Sequence, residues 1–95
     1  MKVFIDPKEN PPNDSWVHVS SLKDFISIVD NNEKMITHLS TSNFIDGINT
    51  GLDAAKYAIK SNNSVEIVFH QKHTPFVEDA LCKLRLRYSQ QNTVH

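Results

Sequence analysis

Short apolar runs alternate with amphipathic stretches along the chain. Lys2–Ile5, Trp16–Val19, residues 35–39 and residues 65–69 are brief runs rich in β-branched or aromatic residues, which predict strands. Apolar residues at three- and four-residue intervals predict three helices between and after these runs. The predicted order is β-β-α-β-α-β-α. Because strands that alternate with helices favour parallel pairing, we predict a small α/β domain with a mostly parallel four-stranded sheet in two or three layers.

The first run, Met1-Lys-Val-Phe-Ile-Asp-Pro7, predicts the central strand of this sheet. It ends at an acid, Asp6, and the proline that follows stops the strand because it lacks a backbone donor. Residues 16–19 alternate in polarity and predict an edge strand. Residues 65–69 have the composition of the most buried strand.

Each predicted helix begins at a capping signal. Ser21 lies three residues before Asp24, and Thr50 lies three residues before Asp53, as in a capping box. Thr74 followed by a proline is a further helix start. The inward faces of the first and third helices are apolar residues at helical spacing: Leu22, Phe25, Ile26 and Val29, then Val77, Leu81, Leu84 and Tyr88.

Polar segments predict the longest loop and the C-terminal end of the domain. Residues 40–49 predict a polar loop in which Gly47 is free to adopt positive φ. The chain turns polar after Tyr88, where we expect it to fray. We therefore predict one domain over residues 1–88 and a polar tail over residues 89–95.

Composition and charge exclude several classes of protein. A formal net charge of −1 argues against a strongly basic nucleic-acid binder, and we find no strong nucleic-acid signal. A single cysteine, Cys82, cannot form an internal disulfide and fits a reducing compartment. No apolar run reaches the roughly 20 residues that a membrane span needs. We expect a cytoplasmic protein without a membrane partner.

Asp6 and His70 are the candidate catalytic residues, since each directly follows a predicted strand. Ligands of open α/β sheets bind beyond the carboxyl ends of the strands, so Asp6 is placed to hold a metal or to act as a general acid or base. An acid before proline also commonly caps a turn, and the sequence favours that interpretation. His70 and His73 beside a helix start could bind an anion or transfer a proton, or could be solvated loop residues.

Three consecutive hydroxyls, Ser40, Thr41 and Ser42, follow the third predicted strand. With His70, His73 and Thr74 they form a candidate set of donors to a phosphate or nucleotide. A serine nucleophile needs a base within hydrogen-bond reach, and the chain has no Gly-x-Ser-x-Gly turn, so a polar loop is favoured. No zinc spacing, P-loop or dinucleotide motif is present, and we predict neither a metal site nor a cofactor.

Candidate interaction residues are Trp16, Asn43 and Phe44. Trp16 is either a core anchor of the edge strand or an exposed binding residue. In the predicted fold, the 40–49 and 70–75 loops lie at the carboxyl ends of the strands, and we expect Trp16 to cluster with them.

Several short motifs together resemble the cyclic-phosphate-processing receiver domains, a family of phages and bacterial conflict systems. The motifs are M-K-V-F-I-D-P-K-E-x-x-P, W-V-H-V, I-T-H-L-S-T-S, T-G-L-D and V-x-I-V-F-H, and they extend over residues 1 to 85. Members of the family typically carry M-x-[VL]-F-[LI]-D-D-E-R, a Trp-Val strand, L-D-H-D-L-G, a T-G pair and V-H-S-x-N. The resemblance implies a flavodoxin-like, receiver-like fold.

The resemblance assigns Asp6 to the first acid of the D-D-E-R motif and His70 to the family histidine. Pro7 stands in place of the second acid, and Glu9 is a displaced counterpart of the third. Gln71 stands where the family has serine.

Most of the differences from the family motifs lie at the other matched positions. Ser40, Thr41 and Ser42 fall where the family has D-H-D, Gly47 stands for the glycine that follows, and residues 50–51 match the T-G pair. One carboxylate therefore remains of the several that would hold a divalent cation, and a hard cation needs several oxygen ligands.

We therefore expect a catalytically degenerate receiver-like domain that acts by binding. The resemblance implies a phage or mobile-element accessory protein that engages a host protein in the host cytoplasm. The first alternative is a cyclic-phosphate phosphoesterase that uses Asp6 and His70. The second is a phosphate or nucleotide receptor that uses the hydroxyls and histidines named above.

Overall fold

A computed structural model describes residues 1–31, 34–72 and 75–93, with the backbone alone for residues 90–93. The strands are β1 (Lys2–Ile5), β2 (Trp16–Val19), β3 (His38–Thr41), β4 (Phe44–Asp46), β5 (Asn49–Thr50) and β6 (Glu66–Phe69). The helices are α1 (Leu22–Asn31), α2 (Gly51–Ser61) and α3 (Pro75–Thr93).

Four strands form one parallel sheet in the order β2-β1-β3-β6. In chain order this is 2-1-3-4, the start of the flavodoxin-like strand order. The prediction of a mixed α/β domain with a four-stranded parallel sheet is confirmed, with β1 inside the sheet and β2 at an edge.

The helices cover a single face of the sheet. Both crossovers, β2 to β3 through α1 and β3 to β6 through α2, move in the same direction across it, so right-handed connections place α1 and α2 on the same side. Helix α3 packs against α2. The resulting core contains strand residues Val3, Ile5, Leu39 and Phe69, and helix residues Phe25, Ala54, Ala55, Ala58, Ile59, Leu81 and Tyr88. The predicted inward faces of α1 and α3 all belong to this core or pack against it.

The opposite face carries the alternate residues of the same strands, and no helix among the described residues covers it. The register aligns Trp16, Lys2, His38 and Glu66 in one row across this open face. The next row consists of His18, Phe4, Ser40 and Val68. Strands β1 and β2 are joined without a helix, through a segment that contains prolines, so the sheet has two layers rather than three.

The predicted bounds of β3 are wrong. This strand spans His38–Thr41 rather than residues 35–39, because Met35 precedes the sheet with 62% of its surface exposed. Ser40 and Thr41 lie in the strand, buried, and not in a loop.

Residues 40–49 also differ from the predicted loop. Strands β4 and β5 pair antiparallel there, and Gly47 at the turn has φ of 51°, which confirms its predicted positive φ.

Two further expectations about the second half of the chain need correction. Strand β6 is the other edge of the sheet, and its Glu66 and Val68 are exposed, so it is not the most buried strand. Helix α3 continues beyond Tyr88 to Thr93, through most of the predicted tail. No described helix has the length and apolar character that crossing a bilayer requires.

The Thr50-Gly51 pair brings α2 close to the sheet. The Asp53 carboxylate accepts from the Thr50 N–H at 2.8 Å, as the capping signal predicts. Gly51 donates its N–H to the Asn43 carbonyl at 2.9 Å. A Cβ on Gly51 would lie 2.4 Å from the Ser42 carbonyl oxygen and 2.5 Å from a ring carbon of Phe69. Only glycine allows this approach.

Candidate functional site

The two candidate catalytic residues meet where the parallel strands end. Backbone hydrogen bonds continue one residue past the ends of three strands. The N–H groups of Asp6, Ser42 and His70 donate to the carbonyls of Val19, Ile5 and Thr41, respectively. This extension fixes Asp6, Ser42 and His70 side by side at the carboxyl edge, as the predicted sheet requires.

The Asp6 side chain is 2% exposed and accepts hydrogen bonds on both oxygens. Its Oδ1 accepts from the N–H groups of Lys8 at 2.8 Å and Glu9 at 2.9 Å, which is the turn-capping role that the sequence favours. Its Oδ2 accepts from His70 Nε2 at 2.8 Å. Burial alone raises the pKa of Asp6, but the hydrogen bonds from Glu9, His70 and Lys8 outweigh burial and lower the pKa below its ordinary value of 3.8.

His70 lies between Asp6 and a hydroxyl. Because a carboxylate only accepts, Nε2–H of His70 is the donor to Asp6 at 2.8 Å, and Nδ1 on the other side of the ring is hydrogen-bonded to Ser40 Oγ at 2.9 Å. The ring stacks on Phe4 with centroids 4.3 Å apart and planes at 11°. A carboxylate, an imidazole and a hydroxyl are thus hydrogen-bonded one to the next on the open face of the sheet. We call Asp6, His70 and Ser40 the polar chain.

The other two hydroxyls of the predicted phosphate set are engaged elsewhere. Thr41 is fully buried, and its Oγ1 donates to the Ser42 carbonyl at 3.0 Å. The Ser42 hydroxyl donates to the Phe44 carbonyl at 2.6 Å. Only Ser40 of the three joins the histidine. His73 and Thr74, also in that set, lie outside the described residues.

Three side chains could offer ligands to a cation. One ligand atom each of Asp6, Glu9 and His70 lies within 4.8 Å of the others. The divalent cation of a receiver-type pocket takes mainly oxygen ligands. Here one ligand atom is a nitrogen, both Asp6 oxygens already accept hydrogen bonds, and Glu9 is exposed. These residues do not fit a magnesium site.

The hairpin of β4 and β5 carries the most exposed apolar side chains near this edge. Phe44 is 74% exposed and Ile48 is 95% exposed, while Ile45 between them is buried. Phe44 borders a cavity of about 260 Å³ that also contacts Asp6 and Gln71. Phe44 was a predicted interaction residue but the hairpin was not predicted, although Asp-Gly between apolar residues is a hairpin signal.

Asn43 anchors the hairpin to the segment after β6. Its backbone N–H donates to Gln71 Oε1 at 3.0 Å, and its side-chain amide donates to the Lys72 carbonyl at 2.7 Å. Asn43 therefore orients the segment that presents Phe44.

Trp16 lies apart from these residues. It pairs with Lys2 at the first position of β1, the amino end of the sheet, so the expected cluster with the two carboxyl-end loops does not form. On the open face it makes an edge contact with Phe4 at a centroid distance of 6.4 Å, and the Lys2 ammonium lies 5.5 Å from its ring centroid.

Comparison of the chain with protein-family models, with curated proteins and with solved structures gave no match, so the resemblance to receiver-like domains stays a prediction.

Proposed function

We propose that this protein is a binding module that engages a protein partner through the hairpin at the carboxyl edge of its sheet. The observation that carries the proposal is the exposure of Phe44, at 74%, on a hairpin held in place by Asn43. Large apolar side chains that are exposed together mark interaction surfaces more often than isolated ones do. The resemblance adds the setting, a phage or mobile-element protein that contacts a host protein.

The state of the polar chain supports binding over catalysis. Asp6 and His70 have side-chain exposures of only 2% and 14%, and each is hydrogen-bonded within the chain. An acid with both oxygens occupied has little capacity left for a substrate or an ion. Its hydrogen bonds to Lys8 and Glu9 also serve the turn after β1, which is a structural role.

Affinity capture tests the proposal. The tagged protein is used to capture partners from nuclease-treated lysate of the native host, and bound proteins are identified by mass spectrometry. We expect one stoichiometric partner, whose recovery falls about tenfold or more in Phe44→Ser because exposed aromatic anchors dominate interfaces. Leu86→Ser is the matched control, since Leu86 is 59% exposed on α3 and borders none of the cavities near the hairpin.

Two results would count against the binding surface. Capture that is unchanged in Phe44→Ser would exclude the hairpin, and capture lost equally in both variants would indicate nonspecific adhesion. Far-UV circular dichroism of each variant checks that the fold is intact.

A second candidate function is a phosphoesterase or phosphate receptor at the polar chain. The observation that favours it is the order Asp6, His70 and Ser40, with distances of 2.8 and 2.9 Å, which matches the acid–base–nucleophile order of many hydrolases. In this proposal His70 takes the Ser40 proton while Asp6 orients the ring and stabilises its charged form.

Turnover of a nucleoside 2′,3′-cyclic phosphate tests this alternative. Hydrolysis lost in both His70→Ala and Ser40→Ala would support the enzyme. A thermal-shift gain with nucleotides that disappears in His70→Ala, without turnover, would support the receptor. Neither effect at millimolar ligand would leave binding through the hairpin as the function.

A further inference from the structure

A groove lies between α2 and α3 on the helical side of the molecule. Leu52 from α2 and Phe76 and Leu84 from α3 border a cavity of about 360 Å³. Phe76 is 68% exposed, although it occupies the first turn of a long helix. Ala80, one turn after Phe76, also borders the cavity and leaves space above the helix backbone.

The groove continues toward the hairpin. A neighbouring cavity of about 280 Å³ shares Leu52 with the first and is bordered by Phe44 and Val77. The combined depression therefore runs from the β4–β5 hairpin along α3. Its apolar residues recur along one helix with spacings of about one turn, which is the arrangement that accepts another helix.

The charges around this groove are unequal after internal pairing. Asp79 pairs with Lys83 at 3.0 Å, and Asp53 accepts from the Thr50 N–H, a hydrogen bond that holds its carboxylate in place but leaves its negative charge. Within the described part of the chain, no carboxylate lies within ion-pair distance of the other bordering cations, which are Lys56, Lys72 and Arg87. Among the described residues, four cations, Lys56, Lys72, Lys83 and Arg87, border the groove against the two acids, so the net charge of its rim is positive.

We infer that this groove binds an acidic amphipathic helix of a protein partner. The apolar face of that helix covers Leu52, Phe76 and Leu84, and its flanking carboxylates face Lys56 and Arg87. Charged pairs at the rim orient the helix and accelerate its association, while the apolar contacts hold it. The inference rests on the proposed binding function and names the chemistry of the partner.

Selection from a displayed library of helical peptides tests this inference. The peptides are about 18 residues long, enough to form helix on binding. The wild-type protein is the bait, and a Phe76→Ser/Arg87→Glu variant removes peptides that bind elsewhere. We expect enriched peptides with apolar residues at i, i+3, i+4 and i+7 and with Asp or Glu beside them. Fluorescence polarisation then measures affinity.

Matched variants separate the two contributions to binding. We expect Lys56→Glu/Arg87→Glu to weaken the enriched peptides about tenfold or more, with a loss that shrinks at high salt because rim charges are screened. Phe76→Ser should weaken them equally at every salt concentration. Lys23→Glu, an exposed cation of α1, and Leu86→Ser are the controls and should leave affinity unchanged.

Three results would overturn the inference. The first is a selection that yields no peptide whose binding requires Phe76, Lys56 and Arg87. The second is enrichment of basic peptides. The third is concentration-dependent dimerisation in sedimentation velocity that Phe76→Ser abolishes, since a second copy would then occupy the groove. If the captured partner depends on Phe44 but not on Lys56 and Arg87, the binding function stands and the acidic helix does not.

Discussion

The two faces of the parallel sheet differ although the same strands build both. On the covered face, Val3, Ile5 and Leu39 are at most 1% exposed beneath the helices. On the open face, the alternate positions of β1 and β3 hold Phe4 and Ser40, which are shielded by His70 and neighbouring rings rather than by a helix. A parallel sheet normally buries both faces. Here one face supplies stability, and the other carries the polar chain.

The difference has a physical cause in the connection between β1 and β2. Because residues 6–15 contain three prolines and no helix, no described element covers the open face. Polar residues can remain there at low cost, since water or neighbouring side chains satisfy them. Asp6, His70 and Ser40 therefore lie on the face that contributes least to the core.

The largest expected effect is the loss of a core aromatic from the covered face. Phe25→Ala removes a fully buried ring of α1, and we expect it to lower the free energy of unfolding by about 4 kcal/mol. Phe76→Ala, at a 68% exposed position, should change it by less than about 0.5 kcal/mol. Urea denaturation followed by circular dichroism measures both. Similar losses would contradict the assignment of the core to the sheet side of the helices.

The second-largest expected loss of stability concerns the close approach of α2 to the covered face. Gly51→Ala places a methyl group 2.4 Å from the Ser42 carbonyl, and we expect a loss of about 2–3 kcal/mol. Gly47→Ala is the matched control. Its Cβ meets no atom within 4 Å, but its positive φ disfavours alanine by about 1 kcal/mol. Thermal melting of the two variants should rank them in this order, and the reverse ranking would refute the close approach.

Matched valines compare the two faces directly. Val3→Ala on the covered face should cost about 2 kcal/mol, because Val3 is fully buried. Val68→Ala on the open face should cost less than about 0.5 kcal/mol, because Val68 is 58% exposed. Chemical denaturation gives both values. Equal costs would mean that something covers the open face in solution.

The smallest effect concerns the pH dependence of the polar chain. The pKa of Asp6 is lowered in the folded protein, so its ionised form stabilises the fold above the unfolded-state value of 3.8. This contribution is lost as the pH falls through the lower, folded-state pKa. We expect Asp6→Asn to lower the free energy of unfolding at pH 7 by about 1–2 kcal/mol. Below about pH 4, the free energy of unfolding of this variant should fall less steeply with pH than that of the wild type.

Stability curves from pH 2 to pH 7 test that expectation. Asp14→Asn, which changes an exposed acid of the β1–β2 connection, is the control and should retain the decline of the wild type. Parallel curves for wild type and Asp6→Asn would show that Asp6 does not contribute to the acid dependence.

The sequence predicts the parts of the fold that depend on local periodicity. The strands β1 and β2, the inward faces of α1 and α3, and the capping pair at the start of α2 follow from residue spacing and from side chains close in sequence. The meeting of Asp6 with His70 follows from parallel strands that end at the same edge. These features need no knowledge of distant contacts beyond the order of the strands.

The features that the sequence does not predict depend on distant partners. Ser40 and Thr41 have polar side chains typical of a loop, yet they lie in β3 because His70 and a nearby carbonyl accept their hydroxyls. The predicted order already has no helix between the first two strands, but hydrophobic spacing within strands leaves open whether the sheet has two layers or three, and hence whether one face stays open. Tryptophan is a residue type common at binding surfaces, but strand register places Trp16 at the amino end of the sheet.

We propose that this protein functions through the hairpin surface and not through the polar chain. The most direct test measures the dissociation constant of the captured partner, by biolayer interferometry, for wild type, Phe44→Ser and His70→Ala. We predict that affinity falls about tenfold or more in Phe44→Ser and stays within about twofold in His70→Ala. Loss of binding in His70→Ala, with Phe44→Ser unaffected and both variants folded, would contradict the claim and place the function at the polar chain.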